Sequence, residues 1–249
     1  ALRRDTILVS IMMVNNEVGS VMPIEKMAKL THRMCPDAIF HTDAVQGFLK
    51  VPFAAKTLGA DLISVSSHKI HGPKGVGALY ISPRLKSFPP LLLGGGQESG
   101  YRSGTENLFA LGAFAWAAEE EYARFTENRE REEALRSLLD QCMAPLYEAG
   151  VKAHIPPVHV PGILNISLPG IRSEIMLNAL SGRGICVSAG SACSAHSRKE
   201  SAALKAFGVD AADMDHSIRI SLSHVNTDEE IRVLCGALQE ELGRLARVR

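Results

Sequence analysis

The chain has 249 residues, with 27 lysines and arginines balanced by 27 aspartates and glutamates. A formal net charge of zero argues against a nucleic-acid or acidic-membrane surface, and no apolar run approaches the ~18–20 residues that span a bilayer. The length suffices for one large domain or two small ones with a substantial core.

The opening Ala1-Leu-Arg-Arg-Asp5 holds no apolar h-region within it and is not expected to be a signal peptide. Asp5–Val14 is rich in Ile and Val and reads as a buried strand. Ile24, Met27, Ala28 and Leu30 give Ile24–Met34 helical spacing. Ala38–Val45 is a second strand, Phe53–Leu58 a short helical piece and Asp61–Ser67 a third strand. Gly75–Ile81 is a fourth strand, pairing with the third through a glycine turn. Repeated strand–helix–strand units predict an α/β sheet, in which ligands sit beyond the carboxyl ends of the strands. Leu91–Thr105 is a glycine-rich loop whose backbone N–H groups suit an anion, and it runs into a helix starting near Leu108. From Leu108 to Glu148 the pattern stays helical, with charge runs at Glu119–Glu121 and Glu127–Glu133 that fit solvated faces.

The second half reads as α+β. Gly162–Leu168, Ile185–Ser188 and Ser217–Leu222 are strands, and Ser173–Ser181 is a helix. The last helix opens with Thr227 as N-cap and Glu230 at the third helical position, a capping box. Ile231, Leu234, Leu238, Leu242 and Leu245 then form one apolar stripe.

Cys35, Cys142, Cys186, Cys193 and Cys235 are odd in number and irregularly spaced, with no Cys-x-x-Cys pair. That favours neither a disulfide framework nor a zinc site and points to a reducing cytoplasm. His41, His71 and His216 lack metal-ligand spacing and read as structural or supporting residues.

The chemistry concentrates in few places. Lys69 lies in Ser64-Val-Ser-Ser-His-Lys-Ile-His-Gly-Pro-Lys-Gly-Val-Gly77, where an apolar strand ends in a His-Lys step before a glycine-rich stretch. Asp43 ends the strand before it. Pyridoxal 5'-phosphate needs such a pair, a lysine amine for a Schiff base and an acid that keeps the pyridine nitrogen protonated. Ser66, Ser67 and His68 add donors suited to a phosphate. Taken singly, Lys69 also fits a surface-loop lysine, and Asp43 a turn or cap residue. Cys193, in Ser188-Ala-Gly-Ser-Ala-Cys-Ser-Ala195, fits a small-residue turn and a travelling nucleophile equally well. Arg219 is a charge inside an apolar strand, suited to a structural ion pair or to a clamp on a substrate carboxylate.

Six motifs in order, Val9-Ser-Ile-Met-Met-Val-Asn-Asn-Glu-Val-Gly19, His41-Thr-Asp-Ala-Val-Gln46, Ser66-Ser-His-Lys-Ile-His-Gly-Pro-Lys-Gly75, Gly94-Gly-Gly-Gln-Glu98, Arg102-Ser-Gly-Thr-Glu-Asn107 and Ser188-Ala-Gly-Ser-Ala-Cys193, resemble the cysteine desulfurases of the NifS/IscS type. These belong to the class V aminotransferases of pyridoxal-phosphate fold type I. The resemblance implies an incomplete, mostly parallel large domain over 1–125 and a smaller C-terminal α+β domain over 126–249.

It also implies roles. Lys69 would hold pyridoxal 5'-phosphate and move protons at the substrate Cα. Asp43 would pair with the ring nitrogen and Gln46 with the ring hydroxyl oxygen. Ser66 and His68 would contact the phosphate, and Thr105 the phosphate of the partner in a homodimer. Asn16, with Arg219, would orient the carboxylate of L-cysteine. Cys193 would take the sulfur as a persulfide and pass it to an acceptor protein, with no metal, membrane or nucleic acid involved. Against the resemblance, the family's N-terminal third, with a phosphate-binding turn and a ring-stacking histidine, is expected to be lacking here, to be supplied by a second chain or lost in a truncated product. Ser99 stands where arginine is usual, and His196-Ser-Arg-Lys-Glu200 is an atypical continuation of the cysteine loop. A selenocysteine lyase and a cofactor-free interaction module are the competing readings.

Overall fold

The computed structural model describes residues 1–189 and 201–245. The chain forms two compact units, one of Ala1–Val14 with Met22–Phe125, the other of Asn15–Val21 with Thr126–Arg249.

The first unit holds β1 (Leu8–Met12), α1 (Ile24–Met34), β2 (Ile39–Asp43), α2 (Ala55–Leu58), β3 (Leu62–Ser66), β4 (Gly77–Ile81) and α3 (Leu108–Ala123). Its sheet runs β1-β2-β3-β4, the first three parallel and β4 antiparallel to β3. The fourth strand therefore returns on the third, as the glycine turn predicts. Gly75 takes a left-handed φ of +83° in that turn, and a Cβ on Gly77 would sit 2.5 Å from the Val65 carbonyl oxygen. Only glycine lets the two strands close there.

One face of this sheet is covered. Phe40, Thr42 and Ile63 are buried on it, and α1, which turns Ile24, Ala28 and Thr31 inward, packs on β2. The other face is open: Leu8, Met12 and Leu79 are 54%, 40% and 44% exposed. This corrects the first strand, which the apolar run makes a strand buried on both faces. It is a five-residue strand, alternately exposed and half-buried, because only one face of the sheet is covered; among the described residues it pairs with β2 alone.

The long helical stretch is two helices. α3 ends at a break at Arg124, and α4 (Phe125–Glu148) follows. The second unit then forms β5 (Lys152–His154), β6 (Ile163–Ser167), α5 (Ser173–Ser181), β7 (Ser188–Ala189), α6 (Ala202–Phe207), α7 (Ala211–Met214), β8 (Ser217–Ser221) and α8 (Asp228–Leu245). Its sheet is antiparallel, in the order β5-β6-β8-β7. The predicted strand over 185–188 shrinks to Ser188–Ala189, since Ile185 and Val187 pack on the core without joining the sheet.

That core joins Leu135, Leu139 and Met143 of α4, Leu164 and Ile166 of β6, Met176 and Leu180 of α5, Ile218 and Ile220 of β8, and the predicted α8 stripe. Each such side chain contributes roughly 1.5–3 kcal/mol on burial. The capping box closes as the sequence requires. Thr227 Oγ1 accepts from Glu230 N at 3.2 Å, and Glu230 Oε2 accepts from Thr227 N at 2.9 Å. No helix of the described residues is long and apolar enough to cross a membrane.

Candidate active site

Asp43 is the last residue of β2, with Met12 beside it on β1 and Ser64 on β3. Its carboxylate is exposed, and Oδ1 accepts from Val45 N at 2.9 Å. That bond is local, as a strand-ending aspartate makes it, and it orients the carboxylate at the carboxyl end of a parallel strand. Gln46, half-buried, lies in the turn that follows.

β3, the next strand, ends at Ser66 and passes into one 3₁₀ turn, Ser67–Lys69. Lys69 thus lies three residues past the strand and is half-buried. The turn is tight. Ile70 N and Gly72 N both donate to Ser67 O, at 3.0 and 3.1 Å, and His71 takes a left-handed φ of 62°. Ser66 Oγ and His68 Nδ1 are 2.7 Å apart, in a pair open to solvent. Ser67 Oγ is buried with no hydrogen-bond partner among the described residues. Asp43, Ser66, His68 and Lys69 therefore gather at the carboxyl ends of neighbouring parallel strands, where an α/β sheet binds its ligands.

The glycine-rich loop is partly satisfied by itself. Ser103 N donates to Leu92 O at 3.2 Å, Gly104 N to Gln97 Oε1 at 3.2 Å, and Arg102 Nη1 to Ser103 O at 2.9 Å. Asn107 caps α3, its Oδ1 accepting from Ala110 N at 3.2 Å. Thr105, just before that cap, is exposed.

In the second unit, Arg219 sits on β8 across from Asn165 and Ser188. Its guanidinium donates to Asn16 O at 2.7 Å, Ser188 Oγ at 3.2 Å and Ser221 Oγ at 3.2 Å. The structure thus brings together Asn16 and Arg219, which are 203 positions apart. The neighbouring Glu17 is buried and accepts from Ser201 Oγ at 2.6 Å. That pairing was invisible in the sequence because it spans 184 positions. Cys193 lies outside the described residues.

The remaining cysteines carry free thiols. Cys35 and Cys235 are buried, Cys142 is half-buried and Cys186 is exposed. Burial, with Cys142 beside it, pushes the Cys235 thiol up to about 12, which makes it a packing group rather than a nucleophile.

His41, which the sequence marks as a structural or supporting residue, is held on both sides of its imidazole. Nδ1 lies 2.8 Å from Ser10 Oγ on β1 and Nε2 2.9 Å from Ser64 Oγ on β3. His41 and Asp43 were visible as neighbours in the sequence, but the two serines join them only once the strand register is known.

The aminotransferase class-V family model matches residues 1–234. A cysteine desulfurase of Nostoc sp. is 39% identical over 246 residues, which cover 98% of this chain and 60% of that protein. A cysteine desulfurase IscS of Anaeromyxobacter sp. is 41% identical over 254 residues, again 98% of this chain and 60% of the relative. Among solved structures, a NifS-like protein superposes with a TM-score of 0.87 at 38% identity, covering 97% of this chain and 62% of its own. A NifS-like protein from Rickettsia africae gives 0.81 at 34% identity, covering 94% and 61%. The fold is that of these NifS-like proteins, and the chain spans about 60% of the length of the curated relatives it matches.

Proposed function

The chain belongs to the class V aminotransferase family, and we propose that it forms the larger part of a pyridoxal-phosphate-dependent cysteine desulfurase. The overall reaction takes L-cysteine and the Cys193 thiol to L-alanine and a Cys193 persulfide. A sulfur-acceptor protein then receives the outer sulfur, for iron–sulfur cluster or thio-cofactor synthesis in the cytoplasm.

The residues at the β2 and β3 ends fit the cofactor. One carboxylate oxygen of Asp43 is fixed by Val45 N while the group stays exposed, which suits it to a pyridinium N–H. The open Ser66–His68 pair offers the donors a phosphate takes, and Lys69 supplies the amine. When bound, the cofactor supplies an electron sink for the pair left by the substrate Cα–H bond.

Each side chain then has one task. Lys69 holds the cofactor and carries the Cα proton, and Gln46 donates to the ring hydroxyl oxygen. Asn16 and Arg219 orient the substrate carboxylate. Arg219 suits this because its guanidinium plane is pinned by Asn16 O and Ser188 Oγ, so little entropy is lost on binding. Cys193 attacks the sulfur. Thr105 reaches the phosphate of the partner subunit in a homodimer. The surface of α3 supports that assembly: Phe109 and Trp116, seven residues apart on one side of the helix, are 94% and 68% exposed, apolar surface that water alone does not favour.

The observation that carries this reading is the acid and the amine at the ends of adjacent parallel strands. Protein reconstituted with pyridoxal phosphate is expected to absorb in the visible, and Lys69→Ala to abolish the band. Cys193→Ala keeps the colour and loses sulfide release from L-cysteine. Colour and activity that both survive loss of Lys69 overturn the assignment. Activity on L-selenocysteine that persists without Cys193 marks a lyase instead. Titrating the cofactor against this chain and against a longer one distinguishes an interaction module, which binds none, from an enzyme segment.

A further inference from the structure

His41 and Asp43 are two residues apart on β2, and alternate positions of a strand share a face. An imidazole at that spacing is a natural partner for the carboxylate beside it, and a charged one would hold it in a strong hydrogen bond. The structure has the imidazole occupied elsewhere. Ser10 engages Nδ1 at 2.8 Å from β1, and Ser64 engages Nε2 at 2.9 Å from β3. Ser10 stands directly across from His41 in the β1–β2 register, but Ser64 stands across from Asp43. The Ser64 hydroxyl thus turns back along the sheet to the imidazole instead of to its own cross-strand neighbour. Asp43 is left with the amide of Val45.

We propose that Ser10 and Ser64 are positioning residues that hold His41 off Asp43, reserving the carboxylate for the ring nitrogen of the cofactor. The proposal rests on the reading of Asp43 given above. Its content is a competition within one strand: both nitrogens of the imidazole are taken from the flanks, so the ring cannot swing to the carboxylate.

The competition predicts a rescue that a simple strand tie does not. Affinity for pyridoxal phosphate and the absorbance of the bound cofactor are measured for wild type, Ser10→Ala/Ser64→Ala, and the same pair with His41→Ala added. The double variant frees the imidazole to take Asp43. It is expected to weaken cofactor binding about tenfold, the scale of a hydrogen bond to a charged group, and to shift the band. Adding His41→Ala removes the competitor, and affinity and band return to within about twofold of wild type on the same scale. If the serines and His41 only tie three strands together, the triple variant binds no better than the double, and the proposal is overturned. A double variant that binds like wild type overturns it too. Where the double variant does not fold, Ser64→Ala alone, with and without His41→Ala, gives the same comparison. Wild type that binds no cofactor removes the reading of Asp43 and this proposal with it, whereas wild-type binding without rescue removes the proposal alone.

Discussion

Of the two sheets, β1–β4 buries one face and leaves the other open, whereas β5–β8 is covered on both faces at its centre and is open only toward Lys152, Arg219 and Ser221. Every residue of β6 is buried, while β1 alternates between exposed and half-buried. The hydrophobic face of β6 and β8 enters the large core through Leu164, Ile166, Ile218 and Ile220. The other face is polar and closed at its centre, with Asn165, Ser167 and Ser217 at 0%, 2% and 1% exposure, while Arg219 is half-buried and Ser221 exposed. Its hydroxyls satisfy each other, Ser167 Oγ lying 2.7 Å from both Ser217 Oγ and His154 Nε2. In the first unit, by contrast, the polar side chains His41, Asp43, Ser64 and Ser66 share the open face with Leu8 and Met12. The buried centre of the second sheet holds its unit together, whereas the first sheet turns a whole row of polar side chains to its open face.

The largest effect should come from the buried centre of the second sheet. Ile166→Ala removes a side chain with no exposed surface and is expected to cost about 2–5 kcal/mol, read as a lower denaturant midpoint. A loss below about 1 kcal/mol would break the comparison.

The first unit has its own anchor on the covered side. Asp61, 1% exposed, accepts from Phe40 N at 2.7 Å and His32 Nε2 at 2.9 Å and is bound by Arg84. Arg84 also donates to Ala38 O at 2.7 Å and Pro36 O at 2.9 Å. Burial alone would raise the Asp61 carboxyl. The hydrogen bonds from Arg84, Phe40 and His32, with the charge of Arg84, outweigh it and hold the group below its usual range. The folded state therefore binds that proton less readily than the unfolded chain. Its stabilisation is complete above pH ~3.9 and is lost as pH falls through that value toward the lower folded one. Asp61→Asn is expected to cost about 2 kcal/mol at neutral pH and to flatten the acid limb of the stability curve. An unchanged acid limb would assign acid unfolding to other carboxylates.

A smaller effect sharpens the account of the second unit. Thr227→Ala removes the hydroxyl that caps α8 and should cost about 1 kcal/mol. Thr227→Ser should recover most of it, since serine caps at least as well.

What the sequence disclosed follows the range of the forces involved. Ile24–Met34 and Ser173–Ser181 were legible to the residue because helical periodicity is local. β5 was not, because three residues, Lys152–His154, carry too few alternations to stand out. α7 is a single turn, and α6 is capped by Ser201, whose hydroxyl accepts from Leu204 N and donates to Glu17. The positions of Lys69 beyond the end of β3 and Asp43 at the end of β2 were legible because strand ends and glycine turns mark them. The serine clasp on His41 was not. It depends on the register of three strands, which turn chemistry and pattern leave free to shift.

The smallest expected effect tests the open face itself. Leu8 is apolar and β-forming, yet 54% of it meets solvent, as does 40% of Met12 on the same strand. Truncating a side chain that packs on little removes little transfer free energy and leaves no cavity, so Leu8→Ala in this chain should change stability by no more than about 0.5 kcal/mol. Had the residue been sealed like Ile166, the same loss of carbon would cost several times more. A cost near 2 kcal/mol, on the scale of burying such a side chain, would therefore mean that something covers this face in solution. Dilution then identifies the cover. A cost that disappears at low protein concentration belongs to a second copy of the chain, because association contributes to apparent stability by mass action. A cost that persists belongs to the chain's own residues.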